Sequence, residues 1–341
     1  MLRIRNLLDL FFFSFLVSVT LVSHASDDSA DLSKRLQEDK RDIGAYISLI
    51  KIKTNSTQFS DALSYQKKAL RYARENRDIL TLRALGITAN AGLGKLEKAE
   101  SEYKRAMKTK GALTDIDLHL AMSKTYLKFR ALEKAKRTIA TAIRAKPLDR
   151  QSINLLTRLL TIEKAIIVTR NNLAYAETIS REQVAGLLTS ELQIDLFKKP
   201  GTNPDQNTTS DKGLTDYADS AFVKDILIAH ALNIRSFRVQ NGAFRPDADF
   251  TLQDLALLVE DILDLTDGIN KTLYIGTPSP YSDLSTDDTA FNAFMNSITR
   301  GVIHGSLNGE IKPDASVSGA KTLLALHRLK ESLNAAILNK H

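Results

Sequence analysis

The chain has no cysteine. Disulfides, thiol nucleophiles, thiolate metal sites and a lipid-modified cysteine anchor are all excluded. Without disulfides the chain must hold itself together by packing or repeat stacking. Tryptophan is also missing, and aromatic residues make up 6% of the 341. No run of cations interleaved with aromatics exists on which bases could stack, so nucleic acid is not an expected partner. Proline is scarce, with Pro147 the only one between Leu32 and Leu160. Motifs of catalysis are missing too. His119, His230, His304, His327 and His341 never lie three or four apart, which excludes a helix-borne metal pair. There is no Gly-x-Ser-x-Gly elbow. Gly92-Leu93-Gly94-Lys95 lacks the spacing and the Ser/Thr of a phosphate loop. Asp247-Ala248-Asp249 and Asp287-Asp288 fit no EF-hand loop and read as turn and cap residues. The expectation is a protein that is not an enzyme and has no catalytic residue, no metal and no cofactor.

What the chain does have begins with a leader. Arg3 and Arg5 precede the apolar run Leu10–Val22, and Ser23-His24-Ala25 supplies the small residues of a cleavage site before Ser26. Residues 1–25 read as a signal peptide. After Ala25 no stretch is long and apolar enough to span a bilayer, so no transmembrane segment is expected after cleavage. The expected location is outside the cytoplasm, in the periplasm or at the cell envelope or surface.

Charge divides the rest. The formal net charge is +7, but Lys and Arg outnumber Asp and Glu about two to one over residues 31–165, and the remainder is mildly acidic. Such asymmetry is an argument about partners.

Over residues 31–165 apolar and small residues recur at helical spacing. Ala62, Gln66 and Ala69 return as Ala99, Tyr103 and Ala106, then as Ala135, Ile139 and Ala142, in steps of 37 and 36 residues. Alanines at such positions permit close helix crossings. Leu85-Gly86, Tyr126 and the terminal Lys146-Pro147 complete a pattern that resembles tetratricopeptide repeats, with a helix near Leu148–Leu160 closing the stack. The resemblance implies an α-solenoid whose first helices line a concave face. By position Lys51, Arg83, Asn90, Lys124 and Lys128 fall there, a basic protein-binding groove suited to an acidic peptide or surface.

Beyond residue 166 the chain repeats itself differently. Asn241-Gly242-Ala243-Phe244-Arg245-Pro246-Asp247 returns as Asn308-Gly309-Glu310-Ile311-Lys312-Pro313-Asp314, 67 residues on, and Leu214-Thr215-Asp216 returns as Tyr281-Ser282-Asp283. Asn-Gly makes a tight turn, and Thr251 or Ser318 then caps a helix. A third helix start, Ile179-Ser180-Arg181-Glu182-Gln183, carries the spacing of a capping box. These segments resemble S-layer homology modules. The likeness gives a half module over 166–199, full modules over 209–267 and 276–341, and a polar loop, Pro200–Asp211, between the first two. It implies that three module helices pack together. In that family the Arg at the helix start binds a charged cell-wall polysaccharide. Here Arg181 keeps that place while Leu252 and Gly319 hold the other two, so Arg181 and Glu182 are the possible glycan-binding residues.

The fold class expected is mostly α, a tetratricopeptide-like solenoid followed by a helical S-layer-homology-like bundle. The function expected is an exported, non-enzymatic adaptor that binds a partner protein through its repeats and associates with the cell envelope through its modules. The alternative is a structural scaffold or assembly subunit with no glycan binding.

Overall fold

The computed structural model describes residues 28–194, 216–239, 242–267, 269–305 and 309–338. The leader and its cleavage point, the Pro200–Asp211 loop, Asn241 and Asn308 lie outside the described residues. The protein is mostly helical, and the described residues form no strand, only the isolated bridges Ser180–Asp249 and Thr251–Ser316. No described helix is long and apolar enough to cross a membrane. The chain divides into two compact units at Leu159/Leu160, a little before the 165/166 boundary expected from charge.

The first unit is built from hairpins. After α1 (28–38) come α2 (Ile43–Asn55) and α3 (Phe59–Tyr72), α4 (Asn76–Gly92) and α5 (Leu96–Ala106), and α6 (Ile116–Lys128) and α7 (Leu132–Ala145). Each helix packs on its hairpin partner, α3 also packs on α4 and α5 on α6, and the first helices stack as α2–α4–α6. The six alanines of the sequence period, Ala62, Ala69, Ala99, Ala106, Ala135 and Ala142, are all fully buried. Each stands where neighbouring helices approach too closely for a longer side chain.

The turns repeat as faithfully as the alanines. Thr57, Gly94 and Arg130 all adopt left-handed φ, at 58°, 74° and 57°. In each turn the next amide reaches back five residues, Gln58 to the Lys53 oxygen, Lys95 to that of Asn90, and Ala131 to that of Tyr126. This is the Schellman closure of a helix, and it satisfies carbonyls that the ending helix orphans. Only one of the three positions is glycine.

Burial in this unit also takes in polar groups. His119 is fully buried on α6. Its Nδ1 lies 2.7 Å from the Tyr103 hydroxyl and its Nε2 lies 3.2 Å from the Leu113 carbonyl oxygen. An imidazole with Nε2–H donating to Leu113 and Nδ1 accepting from Tyr103 satisfies both contacts while neutral. Burial pushes the His119 pKa below its ordinary value.

The chain continues into α8 (Arg150–Thr169), longer than the closing helix expected to end near Leu160. The second unit holds α9 (Arg181–Ser190), α10 (Val223–Ala231), α11 (Leu252–Asp267), α12 (Phe291–Thr299) and α13 (Gly319–Leu338), with short 3-10 turns at Asn172–Tyr175 and Arg235–Phe237. α10 packs on α9 and α12 on α11, while the 172–175 turn packs on α13.

The starts of α9, α11 and α13 meet at one point. Ile179 donates to the Val317 oxygen at 3.1 Å, Val317 to that of Phe250 at 2.9 Å, and Phe250 to that of Ile179 at 2.8 Å. The hydrogen bonds close a ring, and the three side chains within it are buried. Each ring residue immediately precedes an N-cap. Ser180 and Gln183 form a capping box, Thr251 and Asp254 exchange the same pair of bonds, and the Ser318 hydroxyl accepts from the Lys321 amide. The three helix starts predicted from spacing are thus brought together as one junction.

Two outcomes are expected for the first unit. Ala99→Leu and Ala135→Leu each overpack a crossing and lower stability by about 1–3 kcal/mol, whereas Lys128→Glu on the surface changes it by less than about 0.5 kcal/mol; thermal denaturation of the variants checks this. His119, with its folded pKa depressed, stabilises the fold above the ordinary histidine value of 6.5. That contribution falls away as pH drops below 6.5 toward the folded value. A pH series of melting temperatures should show this loss, and His119→Gln should flatten it.

Candidate functional site

The duplicated turns are held from outside by an aspartate. The Asp216 carboxylate accepts the amides of Phe244 at 3.1 Å and Arg245 at 2.7 Å. Sixty-seven residues on, Asp283 accepts those of Ile311 and Lys312, both at 2.8 Å. These amides hold the Asp283 carboxyl below the usual carboxylate range, backed by the Lys312 charge and resisted by desolvation. Arg245 and Lys312 are left-handed, at φ 58° and 57°, and so are Gly242 and Gly309, both at 78°. A Cβ at either glycine would meet nothing within 4 Å. Glycine is needed there for its backbone conformation, not for space.

The turns in turn dock on helix starts. The Arg181 amide donates to the Ala248 oxygen and that of Glu182 to Pro246; 67 residues on in the accepting turn, Leu252 donates to Ala315 and Gln253 to Pro313. At the third start, Gly319 donates to Ala176, so residues 172–176 take the place that the turns fill at the other two.

Arg181 is not the exposed anion clamp expected from its place in the motif. It is 8% exposed. Its guanidinium donates to the carbonyl oxygens of Phe244 at 3.0 Å, Ser236 at 2.5 Å and Arg238 at 3.2 Å. The guanidinium carbon lies 4.9 Å from the Phe244 ring centre and 6.0 Å from that of Phe237. Burial lowers its pKa from the ordinary arginine value, with Asp254 and Asp216 pulling the other way, and arginine stays charged throughout. The fork geometry of a guanidinium suits this task, since several fixed carbonyls are reached from one plane. Glu182 is half-buried and accepts from the Ser220 hydroxyl. The Arg181 side chain is therefore spent on the Ser236, Arg238 and Phe244 carbonyls, and that of Glu182 on Ser220.

The other two places differ for physical reasons. A Cβ on Gly319 would stand 1.8 Å from the Leu173 carbonyl oxygen, so only glycine fits. Leu252 carries no charge, and α11 is instead tied down deeper. Glu260, 1% exposed, accepts from Asn292, from Asn296 at 2.9 Å and from Arg235. Arg235 also bonds Asp261 at 2.8 Å. This network joins α11, α12 and the 235–237 turn. Sequence inspection missed it because its members lie 25 to 36 residues apart.

In the first unit, two of the five expected groove residues are not available. Arg83 is paired with Glu102 at 2.6 Å, and Glu102 also accepts from Gln66 and Arg105. Asn90 is 6% exposed and donates to the Gly86 oxygen of its own helix. Lys51, Lys124 and Lys128 remain exposed, and the last two share one face of α6. Among the described residues no group of three or more His, Cys, Asp or Glu is placed to hold a metal ion.

The family model of the S-layer homology domain matches residues 280–320. That span runs from the Asp283 clamp through the Gly309 turn and Val317 to the first residues of α13. The chain thus carries an S-layer homology segment, which points to association with the cell envelope or cell surface. No curated protein and no solved structure matches the chain at a significant level.

Arg181→Ala leaves the Ser236, Arg238 and Phe244 carbonyls without their donor, and is expected to lower the stability of the second unit by about 2–4 kcal/mol. Arg181→Lys recovers little of this, because a point ammonium cannot serve three fixed acceptors. Gly319→Ala should be as damaging as Arg181→Ala. Urea denaturation of the three variants checks the ranking, and an Arg181→Ala protein as stable as wild type would refute the structural role.

Proposed function

We propose that the protein is a non-enzymatic adaptor of the cell envelope, exported by its N-terminal leader. The second unit associates with the envelope, and the first presents a tetratricopeptide-like surface to a partner protein. The observation that carries the envelope half is the S-layer homology match over residues 280–320, lying on one of three helix starts joined at the same ring. The partner half rests on the hairpin repeat and on the exposed cations Lys51, Lys124 and Lys128, which favour an acidic peptide or surface.

A second reading is favoured by a specific observation. The Arg-bearing start is buried, the Gly319 start is covered by the Leu173 carbonyl, and the third carries Leu252. The unit retains the junction while using the helix-start positions for its own packing. In this reading it is a scaffold at the envelope that clamps no polysaccharide through Arg181.

Co-sedimentation of the purified full chain with sacculi and with surface polysaccharide separates the two. The adaptor with a polymer tether predicts saturable co-sedimentation. The scaffold predicts none, together with retained capture of a protein partner from envelope extract. Capture through Lys51, Lys124 and Lys128 should weaken with salt, since the Debye length falls from about 10 Å at 0.1 M to about 3 Å at 1 M. Lys51→Glu combined with Lys124→Glu should remove it without loss of fold; capture indifferent to both changes would show that these lysines are only a solvated face.

A further inference from the structure

A cavity of about 450 Å³ opens on the first hairpin, between α1, α2 and α3. Tyr46, Tyr65 and Tyr72 line it together with Lys40, Lys68, Arg71 and one side of α1. No carboxylate is among the lining residues. Lys40, Lys68 and Arg71 make no ion pair among the described residues, and the three phenol oxygens make no hydrogen bond there. Tyr46 is 5% exposed, and its ring lies 6.4 Å from that of Tyr65 at a tilt of 52°. Lys68 stands 5.5 Å from the centre of the Tyr65 ring.

The second hairpin shows what is missing. Counted by the 37-residue step that relates Ala62 to Ala99, Tyr46 corresponds to Arg83, Tyr65 to Glu102 and Lys68 to Arg105. There the Glu102 carboxylate bridges Arg83 at 2.6 Å and Arg105 at 3.2 Å, and Gln66 adds a third bond. In the first hairpin an uncharged ring stands at the place of that carboxylate. Lys68 keeps the place of Arg105, Lys40 and Arg71 keep those of Arg77 and Lys108, and among the described residues α1 covers the outer side.

We propose that this cavity binds a small organic anion, a carboxylate carried on a planar ring. Its carboxylate sits beside the Tyr65 ring, accepting from Lys68 and the Tyr46 hydroxyl. The ring lies against the tilted Tyr46 and Tyr65 faces, an arrangement aromatic pairs favour. The volume falls within the range of small-molecule sites. The Tyr46 hydroxyl is protonated at neutral pH and can donate, and burial, with Tyr72 and Tyr65 nearby, raises its pKa further.

The test is a titration of the full chain with benzoate, with benzyl alcohol as the uncharged match and cyclohexanecarboxylate as the charged match without a planar ring. The chain has nine tyrosines and no tryptophan, so tyrosine emission reports on occupancy. Benzoate is expected to give a saturable change that raised salt weakens, with both matches binding more weakly. Tyr46→Phe and Lys68→Met should each reduce affinity by about tenfold, as for the loss of a bond to a charged group. Tyr46→Phe conserves the buried ring and so tests the hydroxyl without disturbing the fold. Lys110→Met, in a loop away from the cavity, should bind as wild type does. The proposal is overturned if benzoate shows no saturation up to about 10 mM, if benzyl alcohol binds as well, or if Tyr46→Phe and Lys68→Met both retain wild-type affinity.

Discussion

Three backbone hydrogen bonds, running from Ile179 to Val317 to Phe250 and back to Ile179, fix the second unit. Each strand-like residue spends its amide on one neighbour and its carbonyl on the other, so none can be moved alone. All three side chains are buried, which removes water as an alternative partner. The ring sets the position of Ser180, Thr251 and Ser318, and an N-cap sets the direction of the helix that follows it. Segments far apart in the chain thereby acquire a common origin. The bridges Ser180–Asp249 and Thr251–Ser316 are its flanks.

From this junction the unequal use of the three equivalent places follows. At each helix start an incoming segment must be received by the first free amides. At α9 the segment ends in Phe244 and Phe250, bulky rings that stack with Phe237, and its carbonyls need a donor inside that aromatic layer. Arg181 supplies it. At α13 the segment is the 172–176 turn, which comes so close that a side chain is excluded. At α11 the demand is moved into the Glu260 network. The junction is common to all three, while the closure of each is particular.

How much of this was legible depends on the range over which the signal acts. The turns, caps and alanine periods are local or periodic, and they could be read: Ser180 with Gln183, the left-handed Gly242 and Gly309, and the six buried alanines. The repeated Schellman turns were not, because Thr57 and Arg130 carry no glycine to mark them. Arg181 was assigned to a glycan because it keeps the Arg of the S-layer homology helix start. Nothing near it announces that the carbonyls of Ser236, Arg238 and Phe244 will converge on it. Arg83 was assigned to a groove by its place on the first helix of a pair, while Glu102, its partner, lies 19 residues downstream on another helix. Pairing across elements is a property of the fold and has no signature in the spacing of the sequence.

The first two hairpins of the first unit fill the same crossing differently. In the second hairpin the crossing is closed by a residue of the adjacent hairpin, as Gln66 of α3 reaches Glu102 of α5 beside Arg83 of α4. A charged triad there is self-contained, and its polar groups are nearly all satisfied. Among the described residues α1 alone precedes the first hairpin, and no hairpin provides such closure. Filling the equivalent crossing with a carboxylate would leave it half covered and open to water, where an ion pair contributes little. Tyr46 and Tyr65 instead bury ring area against Leu36 of α1 and need no partner for their charge. The cations on the rim keep their own hydration. The same repeat geometry that makes a sealed ion pair in the second hairpin therefore makes an open, aromatic and positively charged recess in the first.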